Sequence, residues 1–275
     1  MTATIPKVRR LLLGAAPALV TLAFLAGRAP AGDFTAATLN IWHDQGDWPA
    51  RRAVILDTLR VLSPDVLFLQ EVLEKEGLPN QAQQLADSLG WGFVFASVDP
   101  PGAAKRYGNA ILTRHRIVAT HETMLLPLDD YRVAAHARLE AGGRTVDAYV
   151  THLHHTAEGA HMRAEQVRGL IAFVDSTRGG GDLVLGGDFN AAVDRPELAP
   201  LLARYIDCYA ALHPDADGET ATTLNPGMGH APARIDHLFV EPGGPRPVAA
   251  RIFLEAPSPS GVWAADHFGV WARLR

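Results

Sequence analysis

Apolar and polar positions follow two different rhythms along this chain. Short apolar runs such as "FTAATLNIW", "DVLFLQEV" and "DLVLGGDF" are too brief for helices and stop abruptly at polar residues, as buried strands do. Between them, "WPARRAVILDTLRVL" sets Ile55, Leu59 and Leu62 on one helical face. "AEGAHMRAEQVRGLIAFVD" does the same with Val167, Leu170, Ile171 and Val174, and "NQAQQLADSL" reads as a more polar helix. The middle segments "GNAILTRH", "RIVATHETML", "YRVAAHARLE" and "RTVDAYVTHL" are strands joined by short polar turns, which predicts antiparallel pairing. Later strands are "RIDHLFV", "ARIFLE" and "FGVWARL", with no interdomain linker between them. One mixed α/β domain with two sheets, residues 32–275, accounts for this order.

The first 31 residues obey another logic. "MTATIPKVRR" has three basic residues and no acid, and sixteen uncharged residues, "LLLGAAPALVTLAFLA", follow it. Ala29-Pro30-Ala31 then supplies a small-x-small site, completing the pattern of a secretory signal peptide. The apolar core is shorter than the roughly 20 residues of a spanning helix and holds Gly14 and Pro17. The expectation is therefore an exported protein, periplasmic or secreted, with an uncleaved anchor as the alternative. The Arg9-Arg10 pair is compatible with twin-arginine export.

Removing that segment changes the charge. It carries Lys7, Arg9, Arg10 and Arg28, so 21 basic groups face 30 acidic ones in the remainder, a formal charge of −9. That balance argues against a tight nucleic-acid binder, which neutralises phosphates with Lys and Arg. Cys208 is the only cysteine and excludes an internal disulfide; its apolar setting predicts a buried small hydrophobe.

Several strands end in polar or ionisable residues where turn residues would be ordinary. Asn40 closes the first strand and Glu71 the second; His152 ends "YVTH", and Asp188 and Asn190 follow "LVLGG". Asp236 opens "DHLFV", and Asp266-His267 precede the last strand. Each alone is a satisfactory cap or turn residue. Together they would converge on one rim of the sheets.

The segments "TLNIW", "LQEV", "YGNAIL", "THLHH", "GGDFN", "RIDHLFV" and "ADHFGV", in that order, resemble the endonuclease/exonuclease/phosphatase superfamily of metal-dependent phosphohydrolases. The resemblance implies a four-layer α/β/β/α sandwich of two packed mixed β-sheets with outer helices. It implies Mg²⁺, with Mn²⁺ as a substitute, held by Glu71 with Asn40 and Asp266, directly or through water. Hard carboxylate oxygens suit that ion, and the chain has no cysteine cluster or H-E-x-x-H helix for zinc. Asp188 would orient and deprotonate the attacking water with Asn190 beside it. His267 would pair with Asp236 as general base or phosphate stabiliser. His152 and Asn109 would donate to the phosphate.

Other polar residues attract weaker expectations. His154, His155 and His161 are read as exposed or at the substrate rim, Arg163 and Gln166 as a helix surface facing a loop, and His43 and Asp44 as rim residues. Two departures from the family pattern narrow the function. Ala265 replaces the usual Ser before Asp266-His267, and Trp42 stands where abasic-site nucleases carry an acid. With no basic, aromatic-laced insertion for a duplex, the expected activity is hydrolysis of a lipid-headgroup or small-molecule phosphodiester by a monomer, without a stable nucleic-acid complex. The alternatives are a secreted DNase I-like nuclease and a non-catalytic binding protein. For a lipid substrate, "SPSGVWAAD" with Trp263 is the nearest candidate for a membrane-touching loop.

Overall fold

The computed structural model describes residues 1–2 and 32–275. The predicted signal, residues 1–31, falls almost wholly outside the described residues. The chain from Ala31 onward forms one compact unit. It opens with β1 (Phe34–Asn40), α1 (Trp48–Leu62), β2 (Val66–Lys75), α2 (Gln81–Leu89), β3 (Gly92–Ser97) and β4 (Lys105–Thr113). Then come β5 (Arg116–Leu125), β6 (Arg132–Ala141), β7 (Arg144–His152), α3 (Ala160–Thr177) and β8 (Asp182–Asp188). The last elements are α4 (Ala199–Leu202), β9 (Ile206–Asp207), β10 (Asp236–Val240), β11 (Pro247–Phe253) and β12 (Gly269–Leu274).

Two six-stranded sheets result, ordered β11-β12-β1-β2-β4-β3 and β5-β6-β7-β8-β10-β9. Only β1–β2 and β7–β8 pair in parallel among these ladders. Parallel neighbours need a crossover, and α1 and α3 supply it. Asp47 caps α1 by accepting the Ala50 N–H, with Pro49 in the first turn. The inner faces, including Phe68, Ile111, Val150, Val184 and Leu238, meet in one core. Ile55 and Leu59 of α1 and Leu85 of α2 pack on the outer face of the first sheet. Val167, Leu170 and Val174 of α3 pack on the outer face of the second. The architecture is the four-layer α/β/β/α sandwich, and no helix among the described residues is long and apolar enough to cross a membrane.

The middle strands depart from a single antiparallel run. β4 pairs with β2 and β3, whereas β5 opens the other sheet and pairs with β6. The step between sheets is fastened by Asp65, which accepts from Arg114 at 2.6 Å and lies 2.7 Å from His115 Nε2. Local periodicity carries no record of such a crossing.

Gly186 and Gly187 allow β8 its place. A Cβ on Gly186 would stand 2.3 Å from the Phe68 ring in the opposite sheet, and one on Gly187 would stand 2.2 Å from the Thr151 carbonyl. Both lie well inside contact distance, so the two glycines bring Asp188 close to β7 and to the facing sheet.

Candidate active site

Strand register gathers the polar ends. Asn40 pairs with Gln70, the neighbour of Glu71, and His152 pairs with Asp188, which in turn faces Asp236 across β8–β10. Glu71 lies in a β-bulge, where Leu69 opposes Ala110 but Val72 opposes Gly108. The extra residue and a φ of 58° turn Glu71 off the strand's alternation, a re-aiming typical of bulges beside sites. Asn190 is likewise left-handed, at φ 50°.

Asp188 is the hub. Its Oδ2 accepts from Asn40 Nδ2 at 3.1 Å, and lies 3.4 Å from His152 Nε2 and 3.8 Å from His267 Nε2. Its Oδ1 accepts the Asn190 N–H at 2.9 Å. Burial, then the neighbouring Asp236 charge, pushes the Asp188 carboxyl up to about 7, against the pull of His267 and these donors. His267 responds in the opposite sense. Burial alone would depress it, but Asp236 and Asp188 reverse that and raise it to about 10. Its Nδ1 donates to Asp236 Oδ2 at 2.8 Å. His267 is thus an imidazolium held between two carboxylates. His152 differs again: burial, then the positive charges of Arg132, His267 and His155, keep it well below its ordinary value and neutral. Asn190 Nδ2 is spent on the Leu153 carbonyl, and Asn109 Nδ2 on Val133, both within 2.9 Å.

Asp188, Asp236 and His267 each bring a ligand atom within 4.8 Å of the others. An imidazolium has no lone pair for a metal, so this trio suits proton chemistry better than coordination. A hard divalent cation fits the adjoining oxygens. Asp266 Oδ1 is buried without a hydrogen-bond partner, while burial, opposed by His267 and reinforced by Glu71, raises its carboxyl above the ordinary value. A cation between Glu71 and Asp266 would satisfy both observations. Asn40 Oδ1 already accepts the Trp42 N–H at 3.0 Å and keeps a second lone pair for the same purpose.

A cavity of about 530 Å³ reaches this site at Glu71 and His152, and is lined also by Tyr107, Tyr131 and Arg132. His43 and His155 belong to its wall as well. Burial, then the Glu71 charge, pushes the Tyr107 phenol up, which marks it as a neutral donor to that carboxylate.

Several side chains behave otherwise than their sequence setting suggested. Arg163 and Gln166 are buried: Arg163 forks onto Glu197 at 2.9 and 3.1 Å, and Gln166 accepts the His154 N–H and donates to Asp130. His154 is itself buried, with Nδ1 2.7 Å from Asp130 Oδ1. An apolar-stripe criterion misses such pairs because each polar residue is answered by a partner far along the chain. Arg51 is a further buried polar residue that no motif marks. It donates to the carbonyls of Ile41, Trp42, His43, Gln45 and Ala264, tying the loop after β1 to the segment before Asp266. The signal was present, for Arg51 continues the stripe of Ile55 and Leu59 at four-residue spacing.

The sequence profile described as the endonuclease/exonuclease/phosphatase family matches residues 37–267. The chain belongs to this family. Nocturnin of Drosophila melanogaster is 30% identical over 197 residues, covering 62% of this chain and 30% of the fly protein, so the chain spans under a third of that relative's length. Among solved structures, D. rerio TDP2 complexed with a single-strand DNA product superposes with a TM-score of 0.74 at 16% identity, over 88% of this chain and 99% of that one. The human Nocturnin catalytic domain with bound sulfate gives 0.70 at 22%, over 88% and 93%. These two likenesses establish the shared fold. Endonuclease/exonuclease/phosphatase proteins are divalent-metal-dependent hydrolases, and this member has a candidate metal site among its acids.

Proposed function

We propose that this protein is an exported, Mg²⁺-dependent phosphodiesterase acting on a lipid-headgroup or small-molecule diester. One observation carries the reading: a buried carboxylate, Asp188, raised to about 7 beside the His267 ring and 3.4 Å from His152, which lines the open cavity together with Glu71. Asp188 takes a proton from the water that attacks phosphorus, with the Asn40 amide and Asn190 N–H fixing its oxygens. The new P–O bond forms as the opposite ester bond breaks. His267, kept charged by Asp236, offers Nε2–H to the oxygens on which negative charge accumulates. Neutral His152 is a second donor at the same point. Glu71, Asp266 and Asn40 would hold the Mg²⁺, whose contribution is charge neutralisation at the phosphoryl group.

A nuclease is the second reading, favoured by the fold shared with a TDP2 bound to a DNA product. The acidic balance of residues 32–275 weighs against it. The test is hydrolysis of bis(p-nitrophenyl) phosphate, sphingomyelin and plasmid DNA in parallel, with Mg²⁺ or with EDTA. Metal-dependent turnover of a non-nucleic diester, lost in Asp188→Ala, is the expected result. Turnover confined to plasmid would select the nuclease, and silence on all three would end the enzyme reading. Export is tested separately, by finding the chain shortened near Ala31 in the periplasm or medium.

A further inference from the structure

The exposed large apolar side chains are unevenly spread. Met124, Leu126, Leu128 and Tyr131 are 44, 54, 54 and 63% exposed; Met124 lies at the end of β5 and the other three in the six-residue connection from β5 to β6. Apolar exposure concentrated like this marks an interaction surface, whereas scattered single residues do not. The loop is built rather than loose. Leu125 is buried in the core under α3 and turns its two neighbours outward by alternation. At the other end Asp130 accepts from Gln166 at 2.6 Å and lies 2.7 Å from His154 Nδ1, fixing the backbone just before Tyr131.

The loop is also the lip of the catalytic cavity, since Tyr131 and Arg132 line that cavity. On the opposite flank Met124 lines a second hollow of about 320 Å³ with Val98, Pro100, Pro101 and Val133. The two hollows share Val98 and Asp99, so apolar surface continues from the lip past the mouth. A protein seated on this lip would cover the entrance, whereas a phospholipid surface would bring phosphodiesters to it. The charges at the mouth select the kind of amphiphile. Lys105 and Arg132 are matched to a phosphate, and the exposed Asp129 and the rim residue Asp99 to a cationic headgroup. That mixture complements a zwitterionic surface, whereas a net acidic chain is repelled by an anionic one.

We infer that the β5–β6 loop docks the enzyme on a zwitterionic phospholipid surface, presenting headgroup phosphodiesters to the cavity. Trp263, the sequence-based candidate for such contact, instead packs on Phe268. The inference rests on the phosphodiesterase reading for its purpose, but docking is measurable without catalysis.

The experiment is flotation of the full chain with phosphatidylcholine vesicles, in EDTA, comparing wild type with Leu126→Ser/Leu128→Ser. Neither leucine lines the cavity, so hydrolysis of bis(p-nitrophenyl) phosphate should be unchanged in the double variant. Vesicle affinity should fall at least roughly tenfold, from the lost apolar contact. Leu128→Trp should bind more tightly, with its added indole emission shifting to the blue on vesicles. Absence of wild-type flotation, or equal flotation of the double variant, would overturn the docking surface. So would self-association by light scattering that the double variant abolishes, because the lip would then be a face between two copies. Loss of soluble-diester turnover in wild type would reject the catalytic reading and leave the docking result standing.

Discussion

Two buried clusters each set a histidine against an aspartate and flank the same strand, yet their carboxylates are tuned in opposite directions. Asp236 and His237 are adjacent in β10 and point to opposite sides. Asp236 joins His267 and Asp188, whereas His237 lies 2.7 Å from Asp207 and 2.8 Å from Arg234. His237 Nε2 donates to the Ala191 carbonyl, and its Nδ1 lies between the Asp207 carboxylate and the Arg234 guanidinium. Burial would raise Asp207, but His237 and Arg234 overturn that and hold it well below the usual carboxylate range. Asp188 is buried as deeply, yet it faces another carboxylate where Asp207 faces an arginine. Burial therefore does not set the direction; the sign of the second neighbour does. The cluster built around an arginine is closed and structural. The cluster with two carboxylates is poised to accept a proton.

The largest way to break this contrast is Asp188→Ala. It should cost about 10²–10⁴-fold in kcat toward bis(p-nitrophenyl) phosphate, with a circular dichroism spectrum like that of wild type. Asp207→Asn should do the reverse, lowering the unfolding free energy by about 3–5 kcal/mol while the folded fraction keeps its turnover. Its pH signature has a definite sign. A depressed carboxyl stabilises fully above its ordinary value of 3.8 and loses that contribution as pH falls below it. The gap between wild type and Asp207→Asn in urea melts should thus be largest near neutrality and narrow under acid. A gap that widened under acid would contradict the assignment.

Smaller effects separate metal-holding from proton-handling groups. Glu71→Gln should weaken Mg²⁺ affinity by about 10–100-fold, seen as a higher Mg²⁺ concentration for half-maximal rate and partly recovered by excess metal. Asp188→Ala should gain nothing from added metal. Tyr107→Phe removes only a donor to Glu71 and should change the rate by roughly tenfold or less, again through the Mg²⁺ requirement. An effect as large as that of Asp188→Ala would move Tyr107 into the proton-handling set.

Much of this was legible beforehand. Residues that end strands betray themselves by breaking an apolar run, so Asn40, Glu71, His152, Asp188, Asp236 and Asp266-His267 can be gathered from the sequence alone. Helices α1 and α3 showed their buried stripes in the same way. What stayed hidden depends on partners distant in sequence. Arg163 looks like a surface residue until Glu197 arrives 34 positions later. His237 looks like an ornament of its motif until Asp207 and Arg234 close on it. The β4-to-β5 step between sheets was also invisible, because period-two alternation names a face and not a sheet. The apolar loop at Met124 to Tyr131 was readable as composition, but only the fold brings it beside the cavity.

The bulge at Glu71 carries one more consequence. Leu67 and Leu69 face the helices on the outer side of their sheet, and strict alternation would send residue 71 there too. The extra residue gives that place to Val72, which is buried in the helix-covered core. Removing a single residue from this stretch would therefore do more than shorten a strand. It would close the bulge with Val72 still opposite Gly108, and the turn that aims the Glu71 carboxylate would be lost. The length of this segment is thus as tightly bound to the site as the acid it aims.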